Sequence, residues 1–230
     1  IVSGTTPEAE RRAGELFRIV APDTVILSTM EAEFAKLFSN AYRYVQFAMA
    51  NQFYMVCNSA GVDYERVLEG IKRNYPRGQD IPRAGFAAGP CLFKDTMQLV
   101  AFSGNHFQLG HAAMLVNEGL VLYVIDALAK RHRMEELTVG LLGMAFKADS
   151  DDTRASLSYK LKKALAFRAK EVLTTDPYVT TDPALLPLEA VVERSDILIL
   201  CTPHRQYKDI DARGKTVVDI WGHLGKGTVI

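Results

Sequence analysis

The feature that most constrains the fold is a run from Glu31 to Ala60 that contains neither proline nor glycine. Ser28 and Glu31 have the spacing of a helix capping box, and Gly61 supplies a stop at the other end. A helix of about 30 residues is about 45 Å long. Apolar side chains occur around nearly its whole circumference, and such a helix must be buried on nearly every side. We therefore predict one very long helix over residues 31–60, part of which a second copy of the chain covers.

The side of this helix that faces the core is predicted from apolar positions that recur every three or four residues. Aromatic side chains and very few charges occupy the other sides. The expected core stripe comprises Phe34, Leu37, Phe38, Ala41, Val45, Ala48, Met49, Gln52 and Val56.

The charged stretch from Lys130 to Glu136 separates a helical part from a part in which strands alternate with helices. Such alternation indicates parallel βαβ units. The predicted fold is α/β: a helical central domain with one very long helix, followed by a Rossmann-like, doubly wound parallel sheet domain. Besides the long helix, we predict helices at 5–20, 62–75, 95–102, 112–130, 156–169 and 188–194, and strands at 25–28, 137–144, 171–175, 196–202 and 215–220.

Charge and cysteine content argue against several classes of function. The 27 basic and 27 acidic side chains balance, so no net charge attracts nucleic acid or an anionic membrane. We expect no apolar run of the ~18 residues that span a bilayer, and no signal peptide is visible. Cys57, Cys91 and Cys201 are widely spaced, without a CxxC pair. We expect neither a disulfide framework nor a metal site, and a reducing cytoplasm fits best.

Cys91 follows a loop of small residues, Gly85-Phe86-Ala87-Ala88-Gly89-Pro90, and precedes Lys94 and Asp95. Glycines let backbone N–H groups approach a ligand closely. We expect a helix to begin just beyond Cys91, where its N-terminal dipole and Lys94 favour a thiolate. Asp95, one helical turn away, can handle protons at the same site. The alternative is a buried, inert cysteine.

Lys36 and Asn40 form a second constellation, because residues four apart share one face of a helix. A lysine desolvated on an apolar helix can act as an acid or a base. Equally, Lys36 can extend to solvent along its aliphatic stem.

A third constellation joins Phe146 and Lys147 to Asp152 and Arg154, just past the end of a predicted strand. Open parallel sheets bind ligands at this edge, and lysine and arginine suit phosphate groups. The alternative is a solvated charged loop.

Taken together, these motifs resemble the UDP-glucose/GDP-mannose dehydrogenase family over nearly the whole chain. The matching segments are Gly85 to Asp95, Lys36-Leu37-Phe38-Ser39-Asn40, and Ala145-Phe146-Lys147 with Asp151 to Ser156. The resemblance implies that residues 1–27 are the end of an NAD-binding domain whose glycine fingerprint lies upstream of Ile1. Residues 28–130 would form the helical dimerisation domain, and residues 131–230 the sugar-nucleotide-binding domain.

The family's reaction is an NAD-dependent, four-electron oxidation of a nucleotide sugar at C6, from the alcohol to the carboxylate. By resemblance, Cys91 forms the thiohemiacetal and thioester. Lys36 and Asn40 stabilise the oxyanion, and Asp95 helps to activate water or the thiol. The implied substrate contacts are Arg77 from the partner subunit, Gly85, Phe86, Ala87, Phe146 and Lys147, and the implied NAD contacts are Lys94 and Arg154. The chain taken alone is expected to be inactive.

The sequence departs from the family in places. Many members have an arginine after the last strand's aspartate, whereas here Asp219 is followed by Ile220-Trp221. A UDP-hexose, a UDP-N-acetylhexosamine and GDP-mannose therefore all remain open as substrates. Two other functions remain open: a β-hydroxyacid-type dehydrogenase, which also has a lysine and an asparagine four apart but needs no cysteine, and a non-catalytic, dimerising sugar-nucleotide-binding paralogue.

Overall fold

The fold is known from a computed structural model that describes residues 1–87, 89–225 and 227–230. Ala88 of the small-residue loop and Lys226 lie outside the described residues. Five helices come first: α1 (Pro7–Phe17), α2 (Thr29–Ser59), α3 (Tyr64–Lys72), α4 (Pro90–Phe102) and α5 (Gln108–Ala129). They are followed by β1 (Thr138–Leu142), α6 (Leu157–Leu165), β2 (Glu171–Thr175), α7 (Leu188–Arg194), β3 (Ile197–Leu200) and β4 (Thr216–Val218), with short 3-10 turns at Pro76–Gly78, Met134–Glu136 and Arg205–Tyr207.

The long helix α2 confirms the predicted element and its cap. The Ser28 hydroxyl accepts from the Glu31 backbone N–H, and the Glu31 carboxylate accepts from the Ser28 backbone N–H. Hydrogen bonds from Ser28 lower the pKa of Glu31. The reciprocal bonds satisfy donors that would otherwise lack partners at a helix start.

The predicted inner face of α2 is wrong for about half of its members. Phe38, Met49 and Val56 are exposed, and Val56 reaches 68% exposure. The buried side instead carries Asn40, Ala41, Tyr44, Ala48, Ala50, Asn51, Tyr54 and Asn58. Polar asparagines can be buried there because each finds a hydrogen-bond partner on another element. Apolar spacing alone could not identify this face on a helix that is apolar nearly all round.

Helix α5 packs against α2, as α4 also does. By length and composition alone it is apolar enough to span a membrane, so the expectation that no run has this character is wrong. Eight of its residues are buried in the structure, among them Leu120, Val124 and Leu128. Packing in the core accounts for these buried side chains, whereas Leu109, Leu115 and Leu122 of the same helix are exposed.

The sheet is wholly parallel, in the order β2-β1-β3-β4, and confirms the predicted fold class. Alternate residues of each strand face opposite sides, as the pleat requires. Val139 and Ile199 pack towards α6 and the helical part, whereas Leu198 and Leu200 pack towards α7. Helices thus cover both faces.

The two parts of the chain share one hydrophobic core. Tyr54, Leu120 and Val124 belong to the same buried cluster as Val139 and Leu141 of β1. The last residues pass back over the helical part, where Thr228 donates to Asp63 and the Ile230 N–H donates to Asn58. The site described below lies between these packed parts.

Two predicted elements near the site and the N-terminus differ from the structure. Helix α4 begins at Pro90 and not at Asp95, because Gly89, at φ +112°, turns the chain and proline suits a first helical position. Residues 25–28 do not form a regular strand. Val2 instead makes an isolated parallel bridge to Ile26, beside α1.

Candidate functional site

A cleft of about 670 Å³ lies between one face of α2, the start of α4 and the loops beyond the strands. Eight of the twelve predicted site residues line it: Lys36, Asn40, Phe86, Ala87, Cys91, Phe146, Lys147 and Arg154. All three sequence constellations therefore meet in one cavity, although they lie far apart in the chain.

Cys91 lies in the first turn of α4, directly after Pro90, and its side chain is exposed to the cleft. This contradicts the alternative of a buried, inert cysteine, which instead describes Cys201. Burial raises the pKa of the Cys201 thiol well above its ordinary value. The exposed sulfur of Cys91 is accessible to a ligand, at a helix end whose free N–H groups favour negative charge.

Asp95 holds the neighbouring polar groups together from behind the cleft. Its carboxylate accepts from Asn40 Nδ2 at 2.5 Å, and it pairs with Lys94 Nζ at 3.1 Å and Lys36 Nζ at 3.7 Å. Burial pushes the pKa of Asp95 up, but the hydrogen bonds from Asn40 and Lys94 outweigh it and lower the pKa. The carboxylate is therefore a fixed anion that orients Lys36 and Asn40.

Lys36 itself is 61% exposed. Of the two readings of this lysine, the exposure fits the one in which its stem extends towards solvent, and the desolvated lysine is not found. Its position at the cleft, rather than burial, makes it available to a ligand.

The opposite wall carries Arg154 and Lys147. Arg154 forms a bidentate pair with Asp152 at 2.7–3.1 Å, which lowers the pKa of Asp152 to about 2. The pKa of Arg154 is raised, chiefly by its hydrogen bonds to Asp152. Arg154 and Cys91 line the same cleft. Lys147 Nζ lies 5.8 Å from the centre of the Phe146 ring.

The loop before Cys91 is fixed against both parts of the chain. The Gly85 N–H donates to Asn51 of α2 at 2.8 Å, and Asn51 donates to Asn117 of α5 at 2.9 Å. The Trp221 ring lies so close to Gly85 that a Cβ atom there would be 2.3 Å from it. Similarly, a Cβ atom on Gly89 would be 2.7 Å from the Phe146 ring. Both glycines are therefore required by close approach.

Four predicted site residues do not line the cleft. Asp95 is buried behind Asn40, and the exposed Lys94 pairs with Asp95. Gly85 is buried beneath Trp221. Arg77 is exposed in the turn Pro76–Gly78. Its contact with a partner subunit stays a prediction.

Sequence reasoning missed several residues that line the cleft, notably Arg43, Phe47, Pro203 and Trp221. A signal for the first two existed. Positions 36, 40, 43 and 47 share one face of a helix, so Arg43 and Phe47 continue the row that Lys36 and Asn40 begin. A weaker signal existed for Pro203 and Trp221, because each directly follows a predicted strand, at the edge where open parallel sheets bind ligands.

The donor set decides which bound groups the site suits. Across residues 1–87, 89–225 and 227–230, no group of three or more His, Cys, Asp and Glu side chains could hold a metal ion. Lys36, Arg43, Lys147 and Arg154 give the cleft a surplus of positive charge, which suits a diphosphate. The β1 end reads Gly140-Leu141-Leu142-Gly143, so it lacks the GxGxxG pattern of a dinucleotide site. The contacts of Lys94 and Arg154 with NAD stay predictions.

Two family models match the chain. Residues 30–119 match the central domain of the UDP-glucose/GDP-mannose dehydrogenase family, and residues 140–226 match the UDP binding domain of that family. The two matches correspond to the helical part and to the sheet part.

Relatives and solved structures agree with these matches. The UDP-N-acetyl-D-mannosamine dehydrogenase of Pyrococcus horikoshii is 31% identical over 98% of this chain and 53% of its own length. Its structure superposes with a TM-score of 0.80, over 94% of this chain and 53% of that one. A UDP-glucose dehydrogenase structure from Pyrobaculum islandicum, 26% identical, gives a TM-score of 0.85 over 98% of this chain and 56% of that one. The chain spans little more than half the length of these relatives.

Proposed function

The chain belongs to the UDP-glucose/GDP-mannose dehydrogenase family, and on that premise we propose that its cleft binds a nucleotide sugar for NAD-dependent oxidation at C6 to the carboxylate. The observation that carries the proposal is the exposed Cys91 sulfur in a cleft with cations on both walls. A nucleophile supports covalent chemistry, and the cations support the diphosphate of the substrate.

The nucleophile accounts for the second half of the oxidation. Oxidation of the C6 alcohol to the carboxylate removes four electrons as two hydrides, and water supplies one oxygen atom. NAD, when bound, supplies the acceptor for those hydrides. Cys91 Sγ bonds to C6 at the aldehyde level as a thiohemiacetal, and after the second hydride is lost the carbon is held as a thioester. Water attacks that carbon, the C–S bond breaks, and the sulfur returns to its starting state.

Lys36 and Asn40 serve as the oxyanion stabilisers of this scheme. Negative charge develops on the substrate oxygen when sulfur or water adds to the carbonyl, and fixed donors are most effective there. Asp95 holds both groups and stays ionised, so we assign it to positioning. The proposed role of Asp95 is therefore to position Lys36 and Asn40, in place of the predicted role of activating water or the thiol.

The decisive experiment changes Cys91→Ala in an assay that counts NADH formed per nucleotide sugar consumed. With the NAD-binding domain present, on which catalysis depends, the unaltered protein is expected to form two NADH and the acid, whereas the variant forms no acid. Cys57→Ala is the matched control, because Cys57 is a free cysteine of α2 that does not line the cleft. Unaltered acid formation by the Cys91 variant would remove Cys91 from the mechanism and favour a β-hydroxyacid-type dehydrogenase.

The substrate class follows from which nucleotide the sheet part accepts. The match to a UDP binding domain supports UDP, and relatives named for UDP-N-acetylhexosamine oxidation support an N-acetylated sugar. Calorimetry with UDP-N-acetylhexosamines, UDP-glucose and GDP-mannose tests this choice. Tight binding without any turnover, when the NAD-binding domain is present, would favour a non-catalytic sugar-nucleotide-binding paralogue.

The proposal includes a homodimer through α2. Phe38, Tyr42 and Val56 are exposed at 54%, 64% and 68%, and Phe38 and Tyr42 line an apolar groove of about 650 Å³ between α2 and α4. A second copy would remove this surface from water. Light scattering showing a stable monomer would contradict it.

We also propose that the chain divides into domains after residues 27 and 130. Residues 1–27 are assigned to the end of an NAD-binding domain, and catalysis depends on that domain. A cytoplasmic location is proposed because the three cysteines are free thiols in the structure. Limited proteolysis followed by mass spectrometry tests the division, since cleavage is expected to concentrate near residues 27 and 130.

A further inference from the structure

The loop that carries Lys147 and Arg154 leaves β1 and returns to α6, and its contacts determine where two of the cleft cations lie. At its base, Thr202 donates to the Ala145 carbonyl at 2.6 Å. Further out, the Phe146 N–H donates to the Asp152 carbonyl at 2.9 Å. Asp149, between Phe146 and Asp152 in the chain, has φ +54°, and surrounding contacts must hold this strained backbone conformation.

His204 supplies the buried contact at that position. Its side chain is 0% exposed, and Nδ1 accepts from the Asp149 backbone N–H at 2.9 Å. Nε2 lies 3.0 Å from Asp176 Oδ2. Because Nδ1 accepts a hydrogen bond, the ring proton is on Nε2 and is donated to Asp176. The orientation of the imidazole is thus determined from both sides.

Asp176 is itself immobilised. Its Oδ2 accepts from the Met144 and Ala145 backbone N–H groups at 2.6 and 3.0 Å, and its Oδ1 accepts from those of Tyr178 and Val179 at 2.8 and 3.0 Å. A carboxylate bonded to four backbone donors cannot rotate freely. The chain of bonds therefore runs from the ends of β1 and β2 through Asp176 and His204 to Asp149.

We propose that His204 is a positioning residue, which sets the place of Lys147 in the cleft through its bond to the Asp149 N–H. Lys147 is two residues from Asp149, whose backbone N–H donates to His204 Nδ1. His204 does not line the cleft among the described residues, so it acts through Lys147 and not on the ligand. The proposal rests on the proposed function in one respect: the ligand of Lys147 is taken to be a nucleoside diphosphate.

Two substitutions of His204 each retain one of its two side-chain hydrogen bonds and remove the other. Asparagine places its amide oxygen near the Nδ1 position and retains the acceptor for Asp149. Glutamine places its amide nitrogen near the Nε2 position, so it retains the donor to Asp176 and loses the acceptor for Asp149. UDP is the probe, measured by calorimetry on the 230-residue chain. We expect His204→Gln to weaken UDP binding roughly tenfold, and His204→Asn by less than about threefold, because only the former removes the acceptor of the Asp149 N–H.

A double substitution distinguishes positioning from general destabilisation. If His204 acts through Lys147, His204→Gln costs little further affinity once Lys147→Ala is present. Equal losses in both backgrounds, or equal losses for the Gln and Asn variants, would overturn the proposal.

Amide hydrogen exchange supplies a readout that needs no ligand. The Asp149 amide should exchange faster in His204→Gln than in His204→Asn, and equal rates in the two variants would overturn the proposal. Absence of UDP binding by the unaltered chain would count against the proposed function instead. The exchange rate of the Asp149 amide would then decide on His204 alone.

Discussion

The two walls of the cleft are built by different means. On the helical wall, Lys36, Asn40, Arg43 and Phe47 extend from successive turns of one rigid helix. The sheet wall consists of loops beyond strand ends, and buried polar side chains such as Asp176 and His204 hold those loops in place. Removing an exposed side chain such as Arg43 from the helical wall removes that contact only, whereas removing a buried anchor from the sheet wall displaces several cleft residues together. We therefore expect larger effects on the sheet side.

The largest effect is expected for Asp176→Asn. An amide nitrogen in place of Oδ2 would face the Met144 and Ala145 N–H groups, so buried donors lose their acceptor. The free energy of unfolding should fall by roughly 3 kcal/mol, as measured by urea denaturation. Asp211→Asn is the control, because Asp211 is exposed and accepts from the Arg213 N–H. Equal, small losses in both variants would contradict the difference between the walls.

Lowering the pH should show the stabilising contribution of Asp176 in the unaltered chain. Burial pushes the pKa of Asp176 up, but bonds from His204 and three backbone N–H groups outweigh it and lower the pKa from 3.8 to about 2. A depressed pKa stabilises the fold above pH 3.8, and this stability is lost as the pH falls towards 2. The contribution is about 2 kcal/mol. Unfolding free energies of the unaltered chain and Asp176→Asn should converge over this range, and parallel curves would refute the assignment.

A smaller effect is expected where the walls meet at Gly89. Alanine there must adopt φ +112° and brings its Cβ within 2.7 Å of the Phe146 ring. The expected loss of unfolding free energy is roughly 1.5 kcal/mol, with weaker UDP binding because Phe146 lines the cleft. Gly119→Ala in α5 is the control. Apart from its chain neighbours and the backbone of its own helix, no atom of the described residues lies within 4 Å of a Cβ there, so alanine should stabilise the helix slightly. Equal stability changes of both variants would argue against strain at Gly89.

The smallest effect is expected on the helical wall, from Arg43→Gln. Arg43 is exposed and lines the cleft, so the unfolding free energy should hardly change. UDP affinity should fall about fourfold, because a charge-assisted bond to the diphosphate is lost, while uridine affinity stays the same. Calorimetry with both ligands measures this, with Arg66→Gln of α3 as the control outside the cleft. A loss for uridine as large as that for UDP would show that Arg43 does not contact the diphosphate.

Local patterns in the sequence were sufficient for much of the fold and for the centre of the site. The capping box before α2 depends on residues three apart, and its hydrogen bonds form as predicted. The strand over 171–175 and the helix over 188–194 were predicted with the bounds that the structure has. Cys91, Lys36 and Lys147 were recognised from short motifs, and the cleft brings them together.

Features that depend on contacts distant in sequence could not be predicted. Asn51 and Asn58 are buried because Asn117 and Tyr123, more than sixty residues away, supply their partners. Asp176 and His204 are 28 residues apart and belong to no motif. Only the order of the strands places them side by side, where each satisfies the other. The start of α4 is a different case, because the Gly89-Pro90 pair was a local signal that pointed to it.

The hydrophobic core that passes from α5 under β1 has a thermodynamic consequence. Because Leu120 and Val124 pack in the same cluster as Val139 and Leu141, neither part can unfold without exposing apolar surface of the other. The helical part and the sheet part should therefore melt as one cooperative unit. A ligand that binds between them raises the melting temperature of both at once, whichever wall supplies most of the affinity.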